Sequence, residues 1–381
     1  MVHVFVVNEK TFKIHLEYMF AGTGYSDNEP GFIIDNNVSN KSDYKEKTFV
    51  SMIADVSKVR KNDLVLFYVT GCKKIFGVFQ VDSLAFLNPK SKDYLGEEES
   101  LGRYLPFRVK IKPFMVFSEG VTEHEALDDI RCIEHPYEMC WSLIYRKLTG
   151  MRGCSYITDF EYRNIFSLLT ANNIDGCLHF DNYTYDKENK RIVGSKESHL
   201  YMGKTYSLDI TQRLLRVSNS FEAHLQAYLT QNHDKEPLRS LLYPKDHIRK
   251  VWLGNEVVCS VGEQRMDLLS IVETSDRYLV RIIELKYDTP GKEIVNEQIR
   301  WYLRWVGQYL VPLMNDKKVV IIPTVIAARY NRNSKKKREF FEACTQFNQS
   351  RVGSLYGFSL SSVEYISFDR KDIGITFEKV F

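Results

Sequence analysis

The run Leu279-Val280-Arg281-Ile282-Ile283-Glu284-Leu285-Lys286 closes an apolar strand with two charged side chains. Side chains two apart on a strand share a face, so Glu284 and Lys286 point together while Ile283 and Leu285 turn to the packed side. Burying such a pair is costly unless something pairs with it. One hairpin earlier, Arg265-Met266-Asp267-Leu268-Leu269 reads as a strand that can set Asp267 opposite Glu284. Two carboxylates held side by side repel each other, and a hard cation such as Mg²⁺ (or Mn²⁺) removes that repulsion while bridging a phosphate oxygen. The Lys286 ammonium would then orient a water, help deprotonate it, or stabilise charge on a phosphorane. Taken alone, a structural hairpin with surface charges accounts for these residues equally well.

Three further features add weight. Glu222 lies on the preceding predicted helix, in Phe221-Glu222-Ala223-His224-Leu225, where it is either a solvated helix charge or a further carboxylate of the metal site. Gln298 and Tyr302 stand at i, i+4 on the helix after Lys286, hence on one face. The order is helix-Glu, strand-Asp, strand-Glu-x-Lys, helix-Gln-x-x-x-Tyr. This set resembles the PD-(D/E)xK nuclease superfamily, with Met266 where that family often has Pro, and Gln298-x-x-x-Tyr302 resembles the extra motif of its RecB-type branch. Arg-Met-Asp-Leu-Leu followed by Ile-Ile-Glu-Leu-Lys is similar to the NucS (EndoMS) type endonucleases. The resemblance covers roughly residues 206–330. It implies that Asp267, Glu284 and Glu222 hold the metal, that Lys286 and Gln298 complete the catalytic set, and that the substrate is double-stranded DNA.

The 381 residues favour two or three domains. The expected order is a small β-barrel over 1–120, a helical connector over 121–205 and a compact α/β core over 206–381. In the first block, Val2–Val7, Asp63–Val69 and Ile75–Val81 read as strands, with a hairpin at Gly71. Arg103–Phe117 alternates, with Phe107, Val109 and Ile111 on one face and Arg108, Lys110 and Lys112 on an expected basic outer face. Helices are expected over 123–133, 137–148 and 159–170, then over 208–231, 291–311 and 336–347. Strands are expected near 250–260, 264–273, 278–287 and 318–327.

Arg60-Lys61-Asn62-Asp63-Leu64-Val65-Leu66-Phe67-Tyr68-Val69 followed by Ile75-Phe76-Gly77-Val78-Phe79-Gln80-Val81 resembles the core hairpin of PUA-like barrels of the EVE/YTH kind. Those modules read modified bases, often by enclosing an extruded base between aromatic side chains. The early tryptophans of EVE domains are missing, since the first is Trp141; Tyr25 and Trp141 are the base-reading candidates.

Lys+Arg 52 against Asp+Glu 49 leaves a formal charge of only +3, so contact with nucleic acid has to be local. Lys335, Lys336, Lys337 and Arg338, with Arg332 nearby, form one basic cluster. Arg300 and Arg304 lie beside Tyr302, which is itself expected to reach a phosphate, and each neutralised phosphate adds salt-dependent affinity. Trp301, Trp305 and Tyr309 on the same helix suit a core or a homodimer seam better than base stacking. The seven cysteines contain no C-x-x-C pair, and the nine histidines show no zinc-hydrolase spacing, which disfavours a zinc site. Apolar runs such as Val319–Ile322 fall far short of a bilayer span, and the first residues carry no charged leader, so a cytoplasmic protein is expected. Three functions are consistent with these readings: a modification-dependent DNA endonuclease, a structure- or mismatch-specific endonuclease like NucS, and a non-catalytic nucleic-acid-binding protein.

Overall fold

The computed structural model describes residues 1–25, 43–88, 104–127, 153–201, 205–216, 222–245, 247–259, 264–349, 357–371 and 374–381. The chain is mixed α/β and divides into two units, Met1–Leu208 and Asp209–Phe381. Among the described residues no helix is long and apolar enough to cross a membrane.

In the first unit the strands are β1 (Val2–Val7), β2 (Phe20–Tyr25), β3 (Leu64–Val69), β4 (Lys74–Val81), β5 (Phe86–Leu87), β6 (Tyr104–Pro113), β7 (Val121–Thr122), β8 (Cys154–Ile157), β9 (Tyr183–Asp186), β10 (Arg191–Gly194) and β11 (Tyr206–Ser207). The helices are α1 (Glu9–Glu17), α2 (Asp43–Ser57), α3 (Glu123–Leu127) and α4 (Asp159–Asn172). A curled sheet runs β11-β5-β6-β4-β3-β1-β8, with β2 also on β6 and β7 on β4. β1 lies between β3 (parallel) and β8 (antiparallel), so its apolar residues, interrupted only by the buried His3, have neighbours on both edges. A capping box starts α1: the Thr11 amide donates to Asn8 Oδ1 at 2.8 Å and the Asn8 amide to Thr11 Oγ1 at 3.1 Å. Phe12 of that helix packs against Phe67 and Phe76, each buried.

Two expectations change here. Residues 121–205 were expected to form a helical connector, yet β7 and β8 pair within the first sheet; the β9–β10 hairpin falls in the polar stretch 172–205, which reads from the sequence as loop-rich with one hairpin. The Cys154–Ile157 run is buried throughout but only four residues long, too short to stand out beside its polar neighbours. Arg108 was expected on a basic outer face but is fully buried. It sits between partner strands, across from Gly22 of β2 and Phe86 of β5. Its guanidinium lies 4.9 Å from the centre of the Phe20 ring and donates to the Leu105 carbonyl and, at 3.3 Å, to the Tyr201 hydroxyl. Lys112 on the same side is exposed, so the alternation holds only at the strand's end. The helix expected over 137–148 lies outside the described residues.

The second unit opens with α5 (Thr211–Arg216), α6 (Glu222–Asn232) and α7 (Leu238–Leu242). Its strands are β12 (Ile248–Val258), β13 (Arg265–Thr274), β14 (Arg277–Lys286), β15 (Lys318–Ala328), β16 (Ser359–Leu360), β17 (Glu364–Lys371) and β18 (Gly374–Lys379). The sheet order is β12-β13-β14-β15-β17-β18, with β16 also on β15. β12, β13 and β14 form an antiparallel meander; β14, β15 and β17 run parallel. The helical stretch between β14 and β15 is irregular. It passes from a π-helical turn (Ile294–Ile299) through α8 (Arg300–Trp305) to a second π turn (Val306–Leu310) and a 3₁₀ turn (Val311–Met314). The last helix, α9 (Lys335–Asn348), starts on a Ser334 cap whose Oγ accepts from the Lys337 amide at 3.2 Å. Leu225 and Leu229 of α6 share one buried cluster with Leu268, Ile283 and Leu285. Burial of each such side chain contributes about 1.5–3 kcal/mol, which fixes the face that β14 turns toward α6. Glu284, between Ile283 and Leu285, is thereby turned to the opposite face.

Candidate active site

The site is built where two neighbouring strands part. β13 and β14 pair as far as Leu268 opposite Ile283 and no further. Beyond that point β13 stays with β12, through Met266 opposite Val257, while β14 stays with β15, through Lys286 opposite Ala327. Main-chain groups that a continuing ladder would satisfy are left over at this fork, and buried groups of that kind need partners. Side chains supply them. Asp267 Oδ2 accepts from the Leu285 amide at 2.7 Å, taking the place of a strand carbonyl. The Tyr302 hydroxyl lies 2.8 Å from the Arg265 carbonyl, and Gln226 Nε2 donates to the Asp267 carbonyl at 3.0 Å.

Glu222, Glu284 and Lys286, three of the side chains singled out from the sequence, meet at this fork, and Asp267 stands at its other strand end. Lys286 Nζ is 3.0 Å from Glu284 Oε1 and 3.4 Å from Glu222 Oε1, and it also donates to the Leu285 carbonyl at 2.9 Å. Tyr302 is within hydrogen-bond distance of Glu284 Oε2, at 3.1 Å. Glu284 is 2% exposed, and its carboxylate bonds Lys286 and Tyr302.

The electrostatics follow from that enclosure. Burial raises the Asp267 carboxyl well above its ordinary range, the Glu284 charge adds to the rise, and the Leu285 amide and Lys286 oppose it. Glu284 is likewise raised by burial, against the pull of Lys286 and Tyr302. Burial would lower Lys286, but the Glu284 and Glu222 carboxylates outweigh it and the ammonium is held above its usual value. The two carboxylates thus favour the charged form of Lys286. Cys259 is pushed up to about 12 by burial and the nearby Glu284 charge, so its thiol stays protonated.

Glu222 stands at the first residue of α6 and engages Lys286; its side chain is 46% exposed. Gln298 is half-buried in the π-helical turn, and it is Tyr302, not Gln298, that bonds the carboxylate. The i, i+4 alignment expected of the pair assumes an unbroken α-helix, and the wider π turn ends that assumption between them. A π turn inside a helix is a device frequently found at functional sites.

Among the described residues no group of three or more His, Cys, Asp or Glu side chains is arranged to hold a metal ion. The donor set facing the fork is two carboxylates, Asp267 and Glu284. That number suits Mg²⁺, which retains several waters and commonly binds through one or two carboxylates plus substrate phosphate.

The basic candidates lie elsewhere on the second unit. Arg304 is exposed, whereas the Arg300 guanidinium sits 5.5 Å from the centre of the Phe347 ring. Lys335 is exposed and pairs with Glu339 at 3.6 Å, Lys336 donates to the Thr289 carbonyl, Lys337 lies over Phe341, and Arg338 is exposed. Trp301 is 44% exposed, while Trp305 is buried and stacks on Tyr309. In the first unit Tyr25 ends β2, in register with Tyr104 of β6. Trp141 lies outside the described residues. Gln226 went unnoticed in the sequence; its one signal is its place one helical turn after Glu222.

No protein-family model, curated protein or solved structure matches the chain.

Proposed function

We propose that the second unit is a metal-dependent DNA endonuclease of the PD-(D/E)xK kind, and that the first is a PUA-like domain that directs it to modified DNA. The observation that carries this reading is the fork at which Asp267, Glu284 and Lys286 come together beside a pair of parting strands. Asp267 and Glu284 would hold Mg²⁺ or Mn²⁺. When bound, such an ion supplies positive charge that relieves the two carboxylates and polarises a phosphate oxygen.

The remaining work falls to this chain's own groups. Glu284 and Glu222 both hold the Lys286 ammonium, and a side chain so held positions or activates an attacking water or steadies charge on a phosphate oxygen. Tyr302 orients the Glu284 carboxylate, and burial of that carboxylate excludes competing solvent from its inner face. Hydrolysis adds water across a P–O bond: a water oxygen attacks phosphorus, one ester oxygen departs and takes up a proton, and the strand is cut. Arg304, Lys335 and Arg338 are among the exposed cations that would neutralise backbone phosphates.

The decisive experiment incubates the full chain with modified and unmodified plasmid, in Mg²⁺ and in EDTA, beside the Asp267→Ala variant. Cleavage of modified plasmid only, abolished by EDTA and by the substitution, is the expected result. Activity that survives both treatments refutes the metal-dependent mechanism. Equal cutting of modified and unmodified duplex, with preference for a mismatch, transfers the function to a structure-specific nuclease. Absence of any cleavage together with no divalent-ion binding leaves a nucleic-acid-binding protein.

A further inference from the structure

Gln226 is 2% exposed and lies in the middle of α6, among buried neighbours. An amide at such a position is costly unless it bonds. Its Nε2 bonds the Asp267 carbonyl at 3.0 Å, while its Oε1 is buried without a hydrogen-bond partner. The helix therefore carries a polar side chain that is only half satisfied, where a leucine would pack without that cost. What the amide does accomplish is local to the fork. β13 and β14 stop pairing at Leu268 and Ile283, and Asp267 is the first residue of β13 beyond that last pair. Its carboxylate is tied to the Leu285 amide and its carbonyl to Gln226, so the residue is gripped at both ends. Tyr302 grips the Arg265 carbonyl two residues back in the same way.

We propose that Gln226 is a positioning residue of the site: its bond to the Asp267 carbonyl holds the end of β13 so that the Asp267 carboxylate faces Glu284 and Lys286. The proposal rests on the metal-binding reading of the two carboxylates. Gln226 touches no reacting atom in this arrangement and acts only through Asp267. It also shares α6 with Glu222, which engages Lys286, so one helix sets both an acidic and a basic member of the group. Groups that orient a metal's carboxylate from behind commonly matter about 10–100-fold in metal affinity when removed.

The test titrates Mn²⁺ alone into the full chain by calorimetry and records a metal-free melting curve for each variant. Gln226→Met keeps the length of the side chain and removes the amide; Gln226→Asn keeps an amide too short to reach, and serves if the methionine variant does not fold. Thr230→Val is the comparison, since Thr230 is buried on the same helix and bonds only the Ala227 carbonyl, at 2.9 Å. Expected is a loss of about tenfold or more in Mn²⁺ affinity for the Gln226 variants, with wild-type affinity for Thr230→Val whatever its melting temperature. Wild-type affinity in a folded Gln226 variant overturns the proposal while leaving the metal site standing. An equal loss in Thr230→Val overturns it too, because the effect would then follow helix stability alone. If the wild-type chain takes up no Mn²⁺, the metal-binding reading fails, and the proposal goes with it.

Discussion

Tyr302 offers the sharpest test of how the fork is held. Its hydroxyl has one proton within reach of two acceptors, the Arg265 carbonyl at 2.8 Å and Glu284 Oε2 at 3.1 Å, and the side chain is 1% exposed. Tyr302→Phe keeps the ring and removes the hydroxyl, leaving a buried carboxylate and the Arg265 carbonyl each short of a donor. A hydrogen bond to a charged group contributes about 1.5–3 kcal/mol, so a loss of about 2 kcal/mol is expected in the metal-free protein. For a unit of this size that corresponds to about 4–8 °C in melting temperature. In a Glu284→Met background the hydroxyl retains only the neutral carbonyl, and removing it costs about 1 kcal/mol. The double-mutant cycle, followed by urea denaturation, should therefore show a coupling of about 1 kcal/mol between Tyr302 and Glu284. Losses that add to within about 0.5 kcal/mol would mean that the two side chains do not interact, and the account of the fork would be wrong.

The remaining predictions concern acid stability and salt. Burial holds the His15 pKa down, from 6.5 to about 3, and its Nδ1 sits 2.6 Å from the Thr11 carbonyl. Between those values the unfolded chain binds a proton that the folded chain does not, so stability falls as pH drops below 6.5. At pH 5 the loss is about 2 kcal/mol, and His15→Gln should remove that part of the difference between urea midpoints at pH 7 and pH 5. An unchanged pH dependence in the variant would show that His15 is not buried as a neutral ring. For the basic cluster, Lys335→Gln or Arg338→Gln should each lower the slope of log affinity for duplex DNA against log salt by about 1, measured by fluorescence anisotropy. An unaltered slope places the DNA elsewhere on the unit.

Much of the second unit was legible because its strands announce themselves. The alternation of Ile283 and Leu285 with Glu284 and Lys286 is a period-two pattern, and it fixed which side chains share a face before any packing was known. The helix expected over 208–231 corresponds to two helices among the described residues, Thr211–Arg216 and Glu222–Asn232, and the one expected over 336–347 to Lys335–Asn348, within a residue at each end. β17 and β18 went unread: β17 reaches its parallel place beside β15 only by a crossover that includes α9, and β18 joins the sheet only as the antiparallel neighbour of β17. Arg108 shows the opposite failure. Its place among Lys110 and Lys112 suggested an outer face, and only the arrival of β2 and β5 on the same strand buries it.

The amino-acid order by itself determined the chemistry available at the fork: two acidic residues and a lysine at strand positions whose parity brings them together. Tertiary structure alone decided that the strands part at Leu268 and Ile283, that Tyr302 and not Gln298 grips the carboxylate, and that Gln226 takes the freed carbonyl of Asp267. The physical reason is range. Periodicity is set by a residue's near neighbours along the chain, whereas the partner of a main-chain group left over where two strands separate comes from whatever helix packs across it.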